Sequence, residues 1–172
     1  EPVTYIATEQ DLQECQTMCI SFLSGVDEEH ILKGEYFIGE WERVVKASQI
    51  LRNSHIRFEC LPDFTMKMIE STIKKHIREY QTQYIFMDYI HSSASILMEV
   101  GGNGGVKNLR EDNVLFLMSS KLKDIAVKYN VFVMSSTQLN GEYKTSDTPD
   151  QNLLRGSKAI ADRIDWGGIM LE

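Results

Sequence analysis

The sequence has no apolar run near the ~18 residues needed to cross a bilayer, so a membrane-spanning helix is not expected. No basic-then-apolar leader opens it, which leaves secretion without support and points to the cytoplasm. Basic charge is not in surplus either. A net charge of −7 argues against a broad face that coats duplex DNA, though not against a few loop contacts. Cysteine is sparse, at Cys15, Cys19 and Cys60 only. Zinc asks for about four ligands, and His30, His55, His76 and His91 are scattered, so reduced, buried thiols are the expectation. A glycine loop of the form G-x-x-x-x-G-K-[ST], whose backbone N–H groups cradle phosphates, is missing. "GGNGGVKN" has its lysine in the wrong place and no strand leading into it, and "RGSKA" does not fit. There is no initiating Met, and the chain starts almost directly in a strand, so a piece of something longer is expected.

What is present alternates between strands and helices. "VTYIA" at 3–7 is β-branched and aromatic and predicts a strand. Asp11 to Leu23 predicts a helix with Leu12, Cys15, Cys19, Phe22 and Leu23 on its inner face, ended by Gly25. Asp27 to Leu32 predicts a helical turn. Trp41, Val44, Val45, Ser48 and Leu51 mark a further helix that stops near Asn53. "IRFECL" at 56–61 is a strand closed by Pro62. Thr65 is placed to cap a helix with Met66, Ile69, Ile73, Ile77 and Tyr80 inward. Its charged side, Lys67, Glu70, Lys74, Lys75 and Arg78, is an ordinary solvated face. Tyr84 to Met87 is the next strand, and 91–110 is expected to be a long loop. Glu111 to Tyr129 carries Val114, Leu117, Met118, Leu122, Ile125, Ala126 and Tyr129 at helical spacing, with Asn130 as its cap. "VFVMSS" is expected to be a strand buried on both faces. A short helix near Ser157 to Arg163 should lead to a last strand around "WGGIML". The pattern predicts one α/β domain with a mainly parallel sheet and helices on both faces.

Ligands of such sheets bind beyond the carboxyl ends of the strands. The first polar residues there are Glu9, Asp63, Asp88 and Gln138. Carboxylates and an amide converging on one crevice suit a nucleotide phosphate chain with Mg²⁺. One carboxylate holds the metal through its water shell, a second orients the attacking water, and a neutral amide senses the terminal phosphate. Each alone has a plainer reading: Asp88 capping a turn, Glu9 favouring a helix dipole, Gln138 ending a strand. Several of them meeting, from separate strands, favour the phosphate site over these plainer readings.

In order and spacing, the chain resembles the C-terminal, RecA-like motor domain of DnaB-family replicative helicases. "YIATEQ" is similar to the strand ending in that family's catalytic glutamate. "YIFMDYIHSS" resembles its Walker B strand, usually Ile-Asp-Tyr-Leu-Gln. "LKDIAVKYNVFVMSSTQLN" is similar to its helix, strand and sensor glutamine, and "LLRGSKAIADRIDWGGIML" to its "DLRxSGAIEQDAD" stretch. The resemblance implies a RecA-like P-loop NTPase core, here incomplete. It makes Glu9 the residue that activates water, Asp88 the Mg²⁺ contact and Gln138 the γ-phosphate sensor. Arg155, Gly156 and Lys158 fall where the family grips single-stranded DNA, with Lys107, Arg110 and Lys144 as further candidates on loops facing a ring channel. Without the resemblance, Arg155 and Lys158 are solvated surface charges. The implied cofactors are ATP and Mg²⁺. The implied partners are single-stranded DNA, five further copies in a homo-hexamer, and possible primase and helicase-loader contacts, with no membrane. A ring needs few contacts per subunit, which fits the net negative charge.

Several features depart from the family. His91 stands where a glutamine is usual, and Lys158 and Ala161–Asp162 differ from "SGAIEQDAD". The family's P-loop precedes the "YIATEQ" position and its arginine finger follows the last strand; neither is found here. The chain is therefore expected to be the middle of a helicase motor that by itself neither binds ATP tightly nor hydrolyses it. In RecA-like sheets the P-loop strand sits between the Walker B and sensor strands, so its absence should leave a gap or a sheet closed over one. A phage or prophage origin is expected from the divergence. Two other readings stay open: another RecA-like ATPase of recombinase or clock type, and a non-catalytic module that binds a helicase loader.

Overall fold

A computed structural model describes residues 1–102, 111–138 and 158–170. Four strands, β1 (Val3–Ala7), β2 (Ile56–Cys60), β3 (Tyr84–Asp88) and β4 (Phe132–Ser135), form one sheet in the order β2-β1-β3-β4. Every pairing is parallel, with Val3 opposite both Ile56 and Tyr84, and Tyr84 opposite Phe132. The helices are α1 (Leu12–Ser24), α2 (Glu28–Lys33), α3 (Glu40–Asn53), α4 (Met66–Tyr80), α5 (Ala94–Gly102) and α6 (Glu111–Tyr129), followed by a 3-10 helix, Lys158–Arg163. The α/β architecture expected from the alternation is the one found. β3 pairs directly with β4, so the sheet closes with no gap between them.

Alternation along the strands sorts side chains to two faces. Ile6, Ile85 and Met87 point to one face and meet Ile69 and Ile73 of α4, Ile96 of α5, and Val114, Met118, Leu122 and Ile125 of α6. This is the main core. The opposite face is covered by α1 and α3 over β1 and β2, where Cys15, Val44 and Ala47 are buried. Beyond β1 that cover stops, and the row Tyr84, Phe132 and Met134 remains exposed.

Local signals set most boundaries. Asp11 and Glu14 form a capping box at the start of α1, satisfying two N-terminal N–H groups reciprocally. Gly25 ends it at φ 62°, a left-handed conformation that a Cβ disfavours. Thr65 caps α4 through the Met68 N–H, and Asn130 ends α6 at φ 52°.

Six expectations need correction. Residues 91–110 are not a continuous loop, because α5 occupies Ala94–Gly102. Ser93 caps it locally, its Oγ accepting from the Ile96 N–H (3.1 Å), and Asp63 adds a second, non-local tie by accepting from the Ser95 N–H (3.0 Å) and the Ser95 hydroxyl (2.7 Å). β4 is not buried on both faces; it is an edge of this sheet, and Phe132 and Met134 are exposed. No strand forms at 166–170. On α1, Leu12, Phe22 and Leu23 face solvent, while the smaller Cys15, Thr17 and Ser24 are buried. On α4, Tyr80 is exposed and buried His76 takes the inward place; on α6, Leu117 is exposed as well. The "GGNGG" run and the polar stretch 139–153 lie outside the described residues.

Candidate functional site

The sheet delivers β1, β3 and β4 to a common carboxyl-terminal rim. That rim is stitched by backbone and hydroxyl contacts. The Thr8 N–H and Thr8 Oγ1 both donate to the Asp88 carbonyl at 2.9 Å. Thr8 Oγ1 accepts from the Tyr89 N–H at 3.0 Å. The Ile90 N–H donates to the Ser136 carbonyl at 3.0 Å, and Ser135 Oγ donates to the Met87 carbonyl at 2.6 Å. The Asp88–Tyr89 peptide is cis. The polar residues that follow these three strands therefore sit on a fixed frame.

Asp88 is half-buried at the end of β3. Its Oδ2 accepts a 2.6 Å hydrogen bond from the Tyr5 hydroxyl, and its Oδ1 a longer one of 3.4 Å from Ser136. Burial, and then the bond to Asp88, push the Tyr5 phenol pKa up, so Tyr5 keeps its proton and stays a donor. Cys15 lies on the same side. Burial first, then the neighbouring Cys60, raises its thiol to about 11, which leaves it protonated and unreactive.

Glu9 is exposed just past β1. Its Oε1 accepts from the Tyr89 hydroxyl at 2.9 Å. Gln138, three residues past β4, donates from Nε2 to the same hydroxyl at 3.3 Å. Glu9, Asp88 and Gln138 are thus brought to one rim. Asp63 is not among them, since it caps α5; the two hydrogen bonds from Ser95 hold its pKa below the usual carboxylate value. Arg155, Gly156, Lys144, Lys107 and Arg110 lie outside the described residues. Lys158 opens the 3-10 helix.

Sequence reasoning missed Tyr89, whose hydroxyl joins Glu9 to Gln138. The available signal was its place directly after the strand-ending aspartate. A cavity of about 200 Å³ opens beside it, lined by Tyr89, Ile90, His91, Ser92, Leu115, Thr137 and Gln138. Such a volume suits a phosphate-sized group rather than a whole nucleotide, whose pockets run from roughly 300 Å³ upward. The Nε2 of His91 is shielded and has no hydrogen-bond partner among the described residues. For Mg²⁺, which retains several waters, one half-buried carboxylate such as Asp88 is a fitting outer contact. Among the described residues no group of three or more His, Cys, Asp or Glu could enclose a metal ion. No described helix is long and apolar enough to cross a membrane.

Comparison with known proteins gives three findings. The family model of the DnaB-like helicase C-terminal domain matches residues 1–170. The SPbeta prophage-derived uncharacterized protein YorI of Bacillus subtilis (strain 168) is 44% identical over 175 aligned residues, covering 99% of this chain and 34% of that protein. The chain thus spans about a third of that relative's length. Two solved structures share the fold at 18% identity, and each match covers 96% of this chain. One is an ATPase domain (TM-score 0.79, 57% of that chain). The other is a DnaB-like replicative helicase studied with its interactions with primase (TM-score 0.78, 39% of that chain). The parallel sheet with its flanking helices is the RecA-like α/β fold of these ATPase domains.

Proposed function

We propose, on the premise that this chain belongs to the DnaB-like helicase C-terminal domain family, that it is one part of a replicative helicase motor. That motor couples ATP hydrolysis to movement along single-stranded DNA and to unwinding of the duplex. The observation that carries the reading is that Glu9, Asp88 and Gln138 stand at or just past the carboxyl ends of three neighbouring strands, with Glu9 and Gln138 sharing the Tyr89 hydroxyl and Asp88 bonded to Tyr5 and Ser136.

Glu9 is the general base. Its exposed carboxylate orients and polarises the water that attacks the terminal phosphate. Asp88, held by Tyr5 and Ser136, would hold Mg²⁺ as an outer carboxylate, and the ion would supply positive charge to the phosphates. Bound Mg-ATP supplies the phosphoryl group and neutralises its charge. Gln138 offers a neutral amide to the terminal phosphate and changes partner when that group leaves. Because no phosphate-cradling glycine loop occurs in the sequence, the cradle comes from outside these 172 residues. Arg155, Gly156 and Lys158, with Lys107, Arg110 and Lys144, take the DNA backbone. Six copies arranged as a ring supply the remaining contacts, and primase and a loader are partners of that ring.

The test uses a protein in which this chain is continuous with a Walker A segment. Glu9→Ala should lower DNA-stimulated ATP hydrolysis by about 100-fold or more while nucleotide binding persists. Turnover at the unsubstituted rate would remove Glu9 from the mechanism.

A further inference from the structure

The hydrogen bonds around Tyr89 have fixed directions. A phenol carries one proton and two lone pairs. An ionised Glu9 can only accept, so the Tyr89 proton goes to Glu9 Oε1, 2.9 Å away. The amide nitrogen of Gln138 can only donate, so it gives to the Tyr89 oxygen at 3.3 Å. Turning the Gln138 amide over would set two acceptors against one proton. The resulting chain runs from amide to phenol to carboxylate, and each bond polarises the next. The phenol is also held in place. The Tyr89 N–H is bonded to Thr8, the residue before Glu9, at 3.0 Å. The Tyr89 ring lies against His91 with centroids 5.2 Å apart.

We propose that Tyr89 is a positioning residue that makes Glu9 and Gln138 a single unit. Its hydroxyl fixes the carboxylate of Glu9 and transmits to it whatever the Gln138 amide does. This rests on the hydrolytic roles given above to Glu9 and Gln138. When Gln138 turns toward a terminal phosphate, the Tyr89 oxygen loses a donor and its grip on Glu9 changes. Reorientation of the base is then tied to the presence of the phosphate, by two hydrogen bonds spanning three strands.

The experiment uses the isotopically labelled 172-residue chain and follows the Gln138 side-chain amide signals by NMR in four forms: unsubstituted, Glu9→Gln, Tyr89→Phe and the double variant. Glu9→Gln should shift the Gln138 signals in the unsubstituted chain, and Tyr89→Phe should abolish that shift while leaving the unfolding midpoint unchanged. In a hydrolysing protein that contains this chain, Tyr89→Phe should lower kcat by about tenfold with KM for ATP changed less than about twofold. If Glu9→Gln leaves Gln138 unmoved, or moves it equally with Phe at position 89, the coupling does not exist. Normal turnover in Glu9→Ala would instead sink the hydrolytic roles and leave the NMR coupling intact, so the two failures are separable.

Discussion

His76 is almost wholly buried, and both ring nitrogens are engaged. Nδ1 is 2.9 Å from Thr4 Oγ1, which is also bonded to Thr82, and Nε2 is 2.7 Å from Glu59 Oε1. This one side chain ties α4 to β1 and β2 at the edge of the core. The hydrogen bond from His76, then those of Lys75, hold the Glu59 pKa below its ordinary value of 4.5. A carboxylate with a depressed folded pKa adds stability above the unfolded value, and that stability is lost as pH falls through the folded one. Urea midpoints measured downward from pH 6 should therefore drop in the acid range below the ordinary carboxylate value, and Glu59→Gln should flatten that drop. At this scale Glu9, Asp88 and Gln138 were legible because each is a polar group at or just past the end of an apolar strand. Tyr89 was not. In the sequence it is one more aromatic in a hydrophobic run, and its role depends on a hydroxyl reaching two other strands.

The helices divide by how local their signals are. Gly25, Thr65 and Asn130 act on their own backbone neighbourhood, and the boundaries of α1, α4 and α6 followed from them. α5 is hard to read although Ser93 caps it locally through the Ile96 N–H, because the glycines at its far end carry a loop signal and a second tie at its start comes from elsewhere. Asp63 receives the Ser95 N–H, while Glu99 of α5 in turn accepts the Met66 N–H at the start of α4. Two helix N-termini are thus closed by carboxylates on each other's segments, and neither pairing has a sequence spacing that announces it. Asp63→Ala should lower the urea midpoint modestly, since Ser93 still caps the helix. Amide exchange should speed up along Ala94–Gly102 more than along α1, which does not share the cap; equal effects on both helices would show a global change instead. β4 shows the same limit at the level of the sheet. "VFVM" has the composition of a central strand, and only the sheet order reveals it as an edge.

Among the described residues, one face of the sheet is covered along its length and the other only over β1 and β2. Tyr84 and Phe132 stack across β3 and β4 with ring centroids 5.9 Å apart, and Phe132 and Met134 are 55% and 48% exposed. An apolar row on an unprotected edge is a site for association. Replacing Phe132 with Thr and Met134 with Lys should reduce binding of a hydrophobic dye and lower the sedimenting mass at high concentration, with little loss of folding stability. Unchanged dye binding would place the apolar surface on α1 to α3, where Phe22, Phe37 and Ile38 are also exposed. The fold class was legible because alternation of strand and helix is a whole-chain pattern. Sheet order was not, since it depends on which strands find each other. The seam between β3 and β4, four register pairs from Tyr84 with Phe132 to Met87 with Ser135, bears on assembly. The outer side of β4 keeps its backbone groups unpaired by any described strand, so a further strand can add there without disturbing what is built, whereas insertion between β3 and β4 has to break those pairs first.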